Sequence, residues 1–141
     1  MPADAGPDGA HHIISLVRDK ISLEKQAAQK TIISVNDRTT TRKIGVITLP
    51  AFYEDIEARR KGDMNYRSAS RDVAKLVAEL KQDKVDGVLI DLRYNGGGSL
   101  TEAIDLTGLF VGKGPVVQQR NAKGEVKIES DDLPTPIWNG P

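Results

Sequence analysis

A chain of 141 residues holds one domain, or one domain and a piece of a second. Its 20 basic and 20 acidic side chains cancel, which removes any overall field for nucleic acid or an anionic membrane. The absence of cysteine excludes disulfides, thiolate catalysis and thiolate-held zinc together, without fixing a compartment.

The chain opens on Met1-Pro2-Ala3-Asp4-Ala5-Gly6-Pro7-Asp8-Gly9, a tail that reads as disordered over residues 1–10. It lacks the apolar centre of an export signal, and no stretch approaches the roughly 20 apolar residues of a membrane span. Residues 11–17 predict a strand, ended by Asp19-Lys20. His11 and His12 would fall on its opposite faces, so they cannot act as a joint ligand pair for a metal. Residues 21–30 read as a linker or a short helix, and residues 30–35 as a strand. Asn36-Asp37-Arg38 then supplies turn chemistry. Residues 43–49 predict a further strand, with Ile44, Val46 and Ile47 around Gly45 and Pro50 as the stop. Phe52, Tyr53 and Ile56 form a local aromatic cluster that suits packing better than a substrate pocket, and residues 54–63 are charged and exposed.

A helix follows. Ala69, Val73, Leu76, Val77 and Leu80 keep the helical period, while Asp72, Lys75, Glu79 and Gln82 point away, up to about Asp83. Ser68 or Ser70 is its N-cap; Asp72 suits the start of the helix dipole, and Lys81 and Lys84 suit its end.

Residues 87–99 say most. Val88, Leu89 and Ile90 form a short apolar run after Gly87, which predicts a strand buried on both faces, as inside a parallel sheet. Asn95, Gly96, Gly97 and Gly98 make a turn that residues with a Cβ would disfavour. Ser99, Leu100, Thr101 and Glu102 match a capping box, with Ser99 as N-cap and Glu102 reaching back to it. Strand, glycine turn and capped helix present backbone N–H groups that suit an oxyanion, a phosphate or a carbonyl oxygen. Ser99 reads as a cap rather than a nucleophile. Asp91 and Arg93 read as a pair that fixes the turn rather than as an acid and an anion clamp.

The second helix covers residues 100–110, with Leu100, Ala103, Ile104, Thr107 and Phe110 roughly on one side, and stops at Gly112 and Gly114. Residues 115–120 and 125–129 predict a hairpin about Asn121-Ala122-Lys123-Gly124. Residues 131–141 are polar and proline-rich, with Trp138 given no fixed role.

Three function classes fit these features: part of an enzyme core, a peptide-binding module of the same fold that uses a strand edge, and a phosphate binder. The last is the weakest, because Gly96-Gly97-Gly98-Ser99 has neither a Walker Lys-Ser/Thr pair nor G-x-G-x-x-G spacing.

The run from Gly87 to Ala103 resembles the C-terminal processing (tail-specific) proteases, serine peptidases with a Ser–Lys dyad and usually a PDZ domain. The resemblance continues through Leu106-Thr107-Gly108-Leu109-Phe110 and Gly114-Pro115-Val116-Val117-Gln118. Upstream, residues 44–53 resemble that family's first core strand, residues 67–73 its helix entry, and residues 11–24 the end of its PDZ domain.

The resemblance implies an α/β fold: an incomplete crotonase/Clp-protease-like core of β–β–α units, preceded by the end of a PDZ-like domain. The implied division is a tail over 1–10, a PDZ remnant and linker over 11–30, and peptidase core over 31–141. It also implies that Gly97 or Gly98 donates its backbone N–H to an oxyanion hole. The family's nucleophilic serine and base lysine would lie beyond Pro141, so this chain alone is expected to be inactive. The implied partner is a protein or peptide with an apolar C-terminus, in the periplasm, with no cofactor, metal or nucleic acid. Uncovered strand edges are expected to invite self-association or disorder at the C-terminus.

Overall fold

The computed structural model of the chain describes residues 27–37 and 39–141. The tail, strand and histidines expected over residues 1–26 lie outside the described residues.

The first described elements form a hairpin. Strand β1 (Gln29–Asp37) pairs antiparallel with β2 (Thr40–Thr48), from Gln29 opposite Thr48 to Asp37 opposite Thr40. Strand β3 (Gly87–Asp91) then lies parallel to β2, with Ile44 beside Gly87 and Thr48 beside Asp91, giving the order β1-β2-β3. A parallel neighbour requires a crossover, and helices α1 (Ile56–Arg60) and α2 (Ala69–Gln82) occupy it. Helix α3 (Leu100–Val111) follows β3, and the chain turns into a second hairpin, β4 (Gly114–Arg120) with β5 (Val126–Asp131).

The core lies on one face of the three-stranded sheet. Gly45, Ile47 and, past the strand end, Leu49 point into it; α2 contributes Ala69, Val73, Val77 and Leu80, and α3 contributes Leu106 and Leu109. Each such aliphatic side chain contributes about 1.5–3 kcal/mol through burial. Gly45 has a packing reason: a Cβ there would stand 2.6 Å from a Leu80 methyl, so a side chain at this position would displace Leu80 from the core.

Three expectations need correction. Strand β3 is not buried on both faces. Val88 and Ile90, level with Gly45 and Ile47, face the helices, whereas Leu89 shares the opposite face with Val46 and is half exposed. The helices cover one face only, and an apolar run of this length does not reveal how many faces are covered. The segment 54–63, read as merely charged, contains α1. Asp55 caps it by accepting from the Ala58 N–H at 2.9 Å, Glu57 lies in its first turn, and Arg59 and Arg60 lie in its last. No α1 residue is buried, so hydrophobic periodicity carried no signal. Finally, the polar tail folds back. Leu133, Ile137 and Trp138 pack against the core, and the Ile137 and Trp138 N–H groups both donate to the Leu109 carbonyl, at 2.7 and 3.2 Å. The Pro141 carbonyl then accepts from Val88 N–H at 2.9 Å, alongside β3.

Candidate active site

The turn after β3 is stitched to the segment that follows β2. Leu49 N–H donates to the Asp91 carbonyl at 3.1 Å, extending the parallel ladder by one step. Asn95 Nδ2 donates to the Leu49 carbonyl at 3.0 Å, and Gly96 N–H to the Pro50 carbonyl at 3.0 Å. Phe52 N–H donates to the Gly97 carbonyl at 2.9 Å, and Ser99 N–H returns to the Phe52 carbonyl at 2.8 Å. These bonds hold residues 95–99 flat against residues 49–52.

Each N–H of the turn can be traced. Gly96 and Ser99 donate to carbonyls, and Gly97 donates to Asn95 Oδ1 at 2.7 Å, within its own turn. Among the described residues, Gly98 N–H has no acceptor, and the residue is exposed. Of the two glycines singled out from the sequence, Gly97 is engaged and Gly98 is open. Asn95 carried the signal for this: an Asn side chain commonly accepts from the backbone two residues on.

Gly98 is fixed in place by contact as well as by bonds. Its φ of +141° belongs to a region that side chains rarely enter, and a Cβ there would run into the Phe52 carbonyl. No other residue fits.

Ser99 is the N-cap of α3, accepting from Glu102 N–H at 3.4 Å and donating to Glu54 Oε2 at 3.2 Å. The other half of the expected capping box is absent. Because Ser99 N–H already donates to Phe52, the Glu102 carboxylate turns to α2 instead. Its Oε2 accepts from Ser68 Oγ at 2.7 Å and from Ser70 N–H at 2.8 Å. Ser68 is the N-cap of α2, and Glu54 pairs with it through the backbone. Sequence reading found each serine but not their shared partner, because nothing local marks a contact across more than 30 positions.

Asp91 and Arg93 do form a pair. Arg93 Nε and a terminal guanidinium nitrogen lie 2.9 and 2.7 Å from the two carboxylate oxygens. The Arg93 hydrogen bonds hold the Asp91 carboxyl down, to about 2. Tyr53 packs against the core, accepts from Ala28 N–H at 3.1 Å and donates to Asp72 at 2.7 Å; burial, foremost, pushes its phenol up to about 12. Asp105 on α3 has its carboxyl raised by burial and then by the Glu102 and Asp131 carboxylates, against the pull of Arg59.

A cavity of about 330 Å³ lies along the segment after β2, walled by Ala51, Tyr53, Glu54, Asp55, Ile56, Glu57 and Arg67. Ala51 sits between the two residues that bind Gly96 and Gly97, so the cavity and the Gly98 amide share one stretch of backbone. Among the described residues, no group of three or more His, Asp or Glu side chains is placed to hold a metal ion.

The family model described as peptidase family S41 matches residues 43–141, a stretch that contains β3, the turn and all three helices. The chain belongs to peptidase family S41. Its mixed sheets and helices are consistent with an S41 peptidase core, and it is similar to several bacterial proteases. The tail-specific protease of Haemophilus influenzae is 39% identical over 132 residues, 94% of this chain and 16% of that protein. The carboxyl-terminal-processing protease of Synechocystis is 29% identical over 110 residues, covering 78% of this chain and 22% of the relative. The carboxy-terminal-processing protease of Bartonella bacilliformis is 32% identical over 79 residues, covering 48% and 18%. The S41 chain thus spans about a fifth of the length of these relatives. Among its described residues, no helix is long and apolar enough to cross a membrane.

Proposed function

We propose that this S41 chain supplies the oxyanion-binding turn of a serine endopeptidase that cleaves proteins near their C-termini. The observation that carries this reading is the open amide: of four consecutive N–H groups at residues 96–99, Gly98 alone has no acceptor among the described residues and is exposed. Attack on a peptide carbonyl puts negative charge on its oxygen, and a fixed N–H at that point lowers the barrier by about 3 kcal/mol. Gly98 is suited to this because the turn is ordered before substrate arrives.

The nucleophile and its base belong to other parts of the protein. Ser68 and Ser70 are buried and bound up with Glu102, and Ser99 is a helix cap. The resemblance of the sequence assigns the nucleophile to no serine of this chain, and the 141-residue chain by itself is expected to cleave no peptide. The substrate presents an apolar C-terminal side chain, for which the cavity beside Ala51 and Ile56 offers largely apolar walls. Residues 11–30 are the end of a PDZ-like domain, residues 31–141 are peptidase core, and the whole protein works in the periplasm. These three statements rest on the resemblance of the sequence alone.

A second reading, a peptide-binding module without catalysis, draws support from β3. It is the last strand of its sheet, with Leu89 half exposed; Pro141 takes the Val88 N–H of that edge, and an extended peptide or a second copy could add along the rest.

Replacing one backbone amide by an ester separates the two. In a polypeptide of the relatives' length, an ester that removes Gly98 N–H is expected to lower kcat by about 10²–10³. An ester that removes Gly97 N–H is expected to cost far less, and equal losses would remove Gly98 from the role. Absence of cleavage in the long polypeptide itself would favour the binding module.

A further inference from the structure

Glu102 is the least economical residue of the fold. It is fully buried, yet only one of its carboxylate oxygens is used: Oε2 takes both Ser68 Oγ and Ser70 N–H, while Oε1 has no partner among the described residues. Burying a carboxylate with a bare oxygen carries a desolvation cost that its two hydrogen bonds only partly offset. What the carboxylate does provide is direction. It fixes the first turn of α3 to the first turn of α2 at one point.

That point lies on a closed circuit with Gly98. From the glycine the chain passes to Ser99, whose Oγ accepts from Glu102 N–H at 3.4 Å. Glu102 leads across to Ser68 and Ser70. Ser68 is bridged to Glu54, which Arg59 also binds, and Glu54 returns to Ser99 Oγ at 3.2 Å. Tyr53 and Asp55, on either side of Glu54, are tied to Ala69 and Arg67 by backbone bonds of 2.9 and 2.8 Å. Gly98 lies close against Phe52, where a Cβ would run into the carbonyl oxygen, and the bonds of Gly97 and Ser99 to Phe52 flank it on both sides. A small rotation of α3 about its N-terminus would therefore swing the Gly98 N–H or open the Ser99–Phe52 bond.

We infer that Glu102 is the positioning residue of the glycine turn, joining the starts of α2 and α3 so that the Gly98 N–H stands in one direction. The inference rests on Gly98 as the oxyanion donor for its catalytic meaning, but the positioning itself is measurable without catalysis.

The test uses amide NMR of the 141-residue chain, with the Gly124 amide in the distant hairpin as internal reference. Glu102→Leu fills the space without the bonds. Because Ser68 Oγ and Ser70 N–H lose their acceptor, it is expected to lower the melting temperature by a few degrees, to shift the Gly98 resonance, and to speed exchange of Ser99 N–H about tenfold, with Gly124 still. Glu102→Gln, which keeps an acceptor for Ser68 and Ser70, is expected to restore both signals towards the wild type. Ser68→Ala removes one of the two bonds from the α2 side. It should move the same signals in the same direction by less, and it decides the matter if Glu102→Leu does not fold. Gly98 and Ser99 signals that stay at their wild-type positions in Glu102→Leu, or in Ser68→Ala where that variant decides, would overturn the inference. So would changes that only track a general loss of stability. In the long polypeptide, Glu102→Leu is expected to lower kcat about tenfold with KM within about twofold. If the Gly98 signal moves and kcat does not, the positioning stands and the oxyanion role of Gly98 falls instead.

Discussion

Two turns in this chain are built from the same local chemistry. At residues 95–98 Asn95 Oδ1 accepts from Gly97 N–H at 2.7 Å; at residues 121–124 Asn121 Oδ1 accepts from Lys123 N–H at 2.9 Å. Both close on glycines with positive φ, +92° and +141° in the first, +86° in the second. They differ in what they are tied to. Among the described residues the hairpin turn bonds only to itself, through Asn121 N–H to the Glu125 carbonyl and Gly124 N–H to the Asn121 carbonyl, each at 3.0 Å. The turn after β3 is bound to Leu49, Pro50 and Phe52, more than 40 positions away in sequence. A turn becomes a candidate site when long-range bonds hold it hard enough to leave one donor unused.

The largest break in the comparison should come from alanine at the two glycines. Gly98→Ala drives a Cβ into the Phe52 backbone, which cannot move without tearing the turn from residues 49–52. A loss on the order of 3 kcal/mol is expected from strain and overpacking. Gly124→Ala meets open space and suffers only its positive φ, at about 1 kcal/mol. Urea unfolding of the two variants measures both, and similar midpoints would mean that the contact at Phe52 is not rigid.

Asparagine provides the intermediate step. Asn95→Ala removes the bonds to the Leu49 carbonyl and to Gly97 N–H in a half-buried place, for about 2 kcal/mol. Asn121→Ala removes its bonds in full solvent, for about 0.5 kcal/mol. The Asn95 change also frees Gly97 N–H, so the Gly97 amide should lose its protection from exchange in that variant.

The same contrast explains what could be read from residues alone. Helix α2 was legible because its apolar period and cap are local, and α3 through its cap and its glycine stop, with Ser68 and Ser99 where the pattern places them; the face α3 buries, with Leu106 and Leu109, is not the Leu100-Ala103-Ile104-Thr107-Phe110 side that its spacing suggests. The turn was legible as a turn, for glycine and asparagine carry its chemistry wherever it sits. The partner of Glu102 was not. A capping box is the local solution for a glutamate at that position, and it failed only because Phe52 had already taken Ser99 N–H. Likewise the exposed face of Leu89 depends on what packs against the sheet, not on the Val88-Leu89-Ile90 run itself.

The smallest expected effect concerns acid. Asp91 and Arg93 bracket the start of the glycine turn, and the guanidinium lowers the Asp91 carboxyl from the ordinary 3.8 to about 2. A carboxyl depressed on folding contributes stability that is complete above about pH 4 and disappears as pH falls through about 2. Arg93 is exposed, so solvent screens the pair, and Arg93→Gln should lower the melting temperature at pH 7 by only about 1–2 °C. The gap between the variant and the wild type should close as the pH is taken from 4 to 2, because protonation of Asp91 removes the same pair. A gap that persists at pH 2 would mean that Arg93 supports the turn through packing, and that the bonds from Leu49, Pro50 and Phe52 alone distinguish it from the hairpin turn.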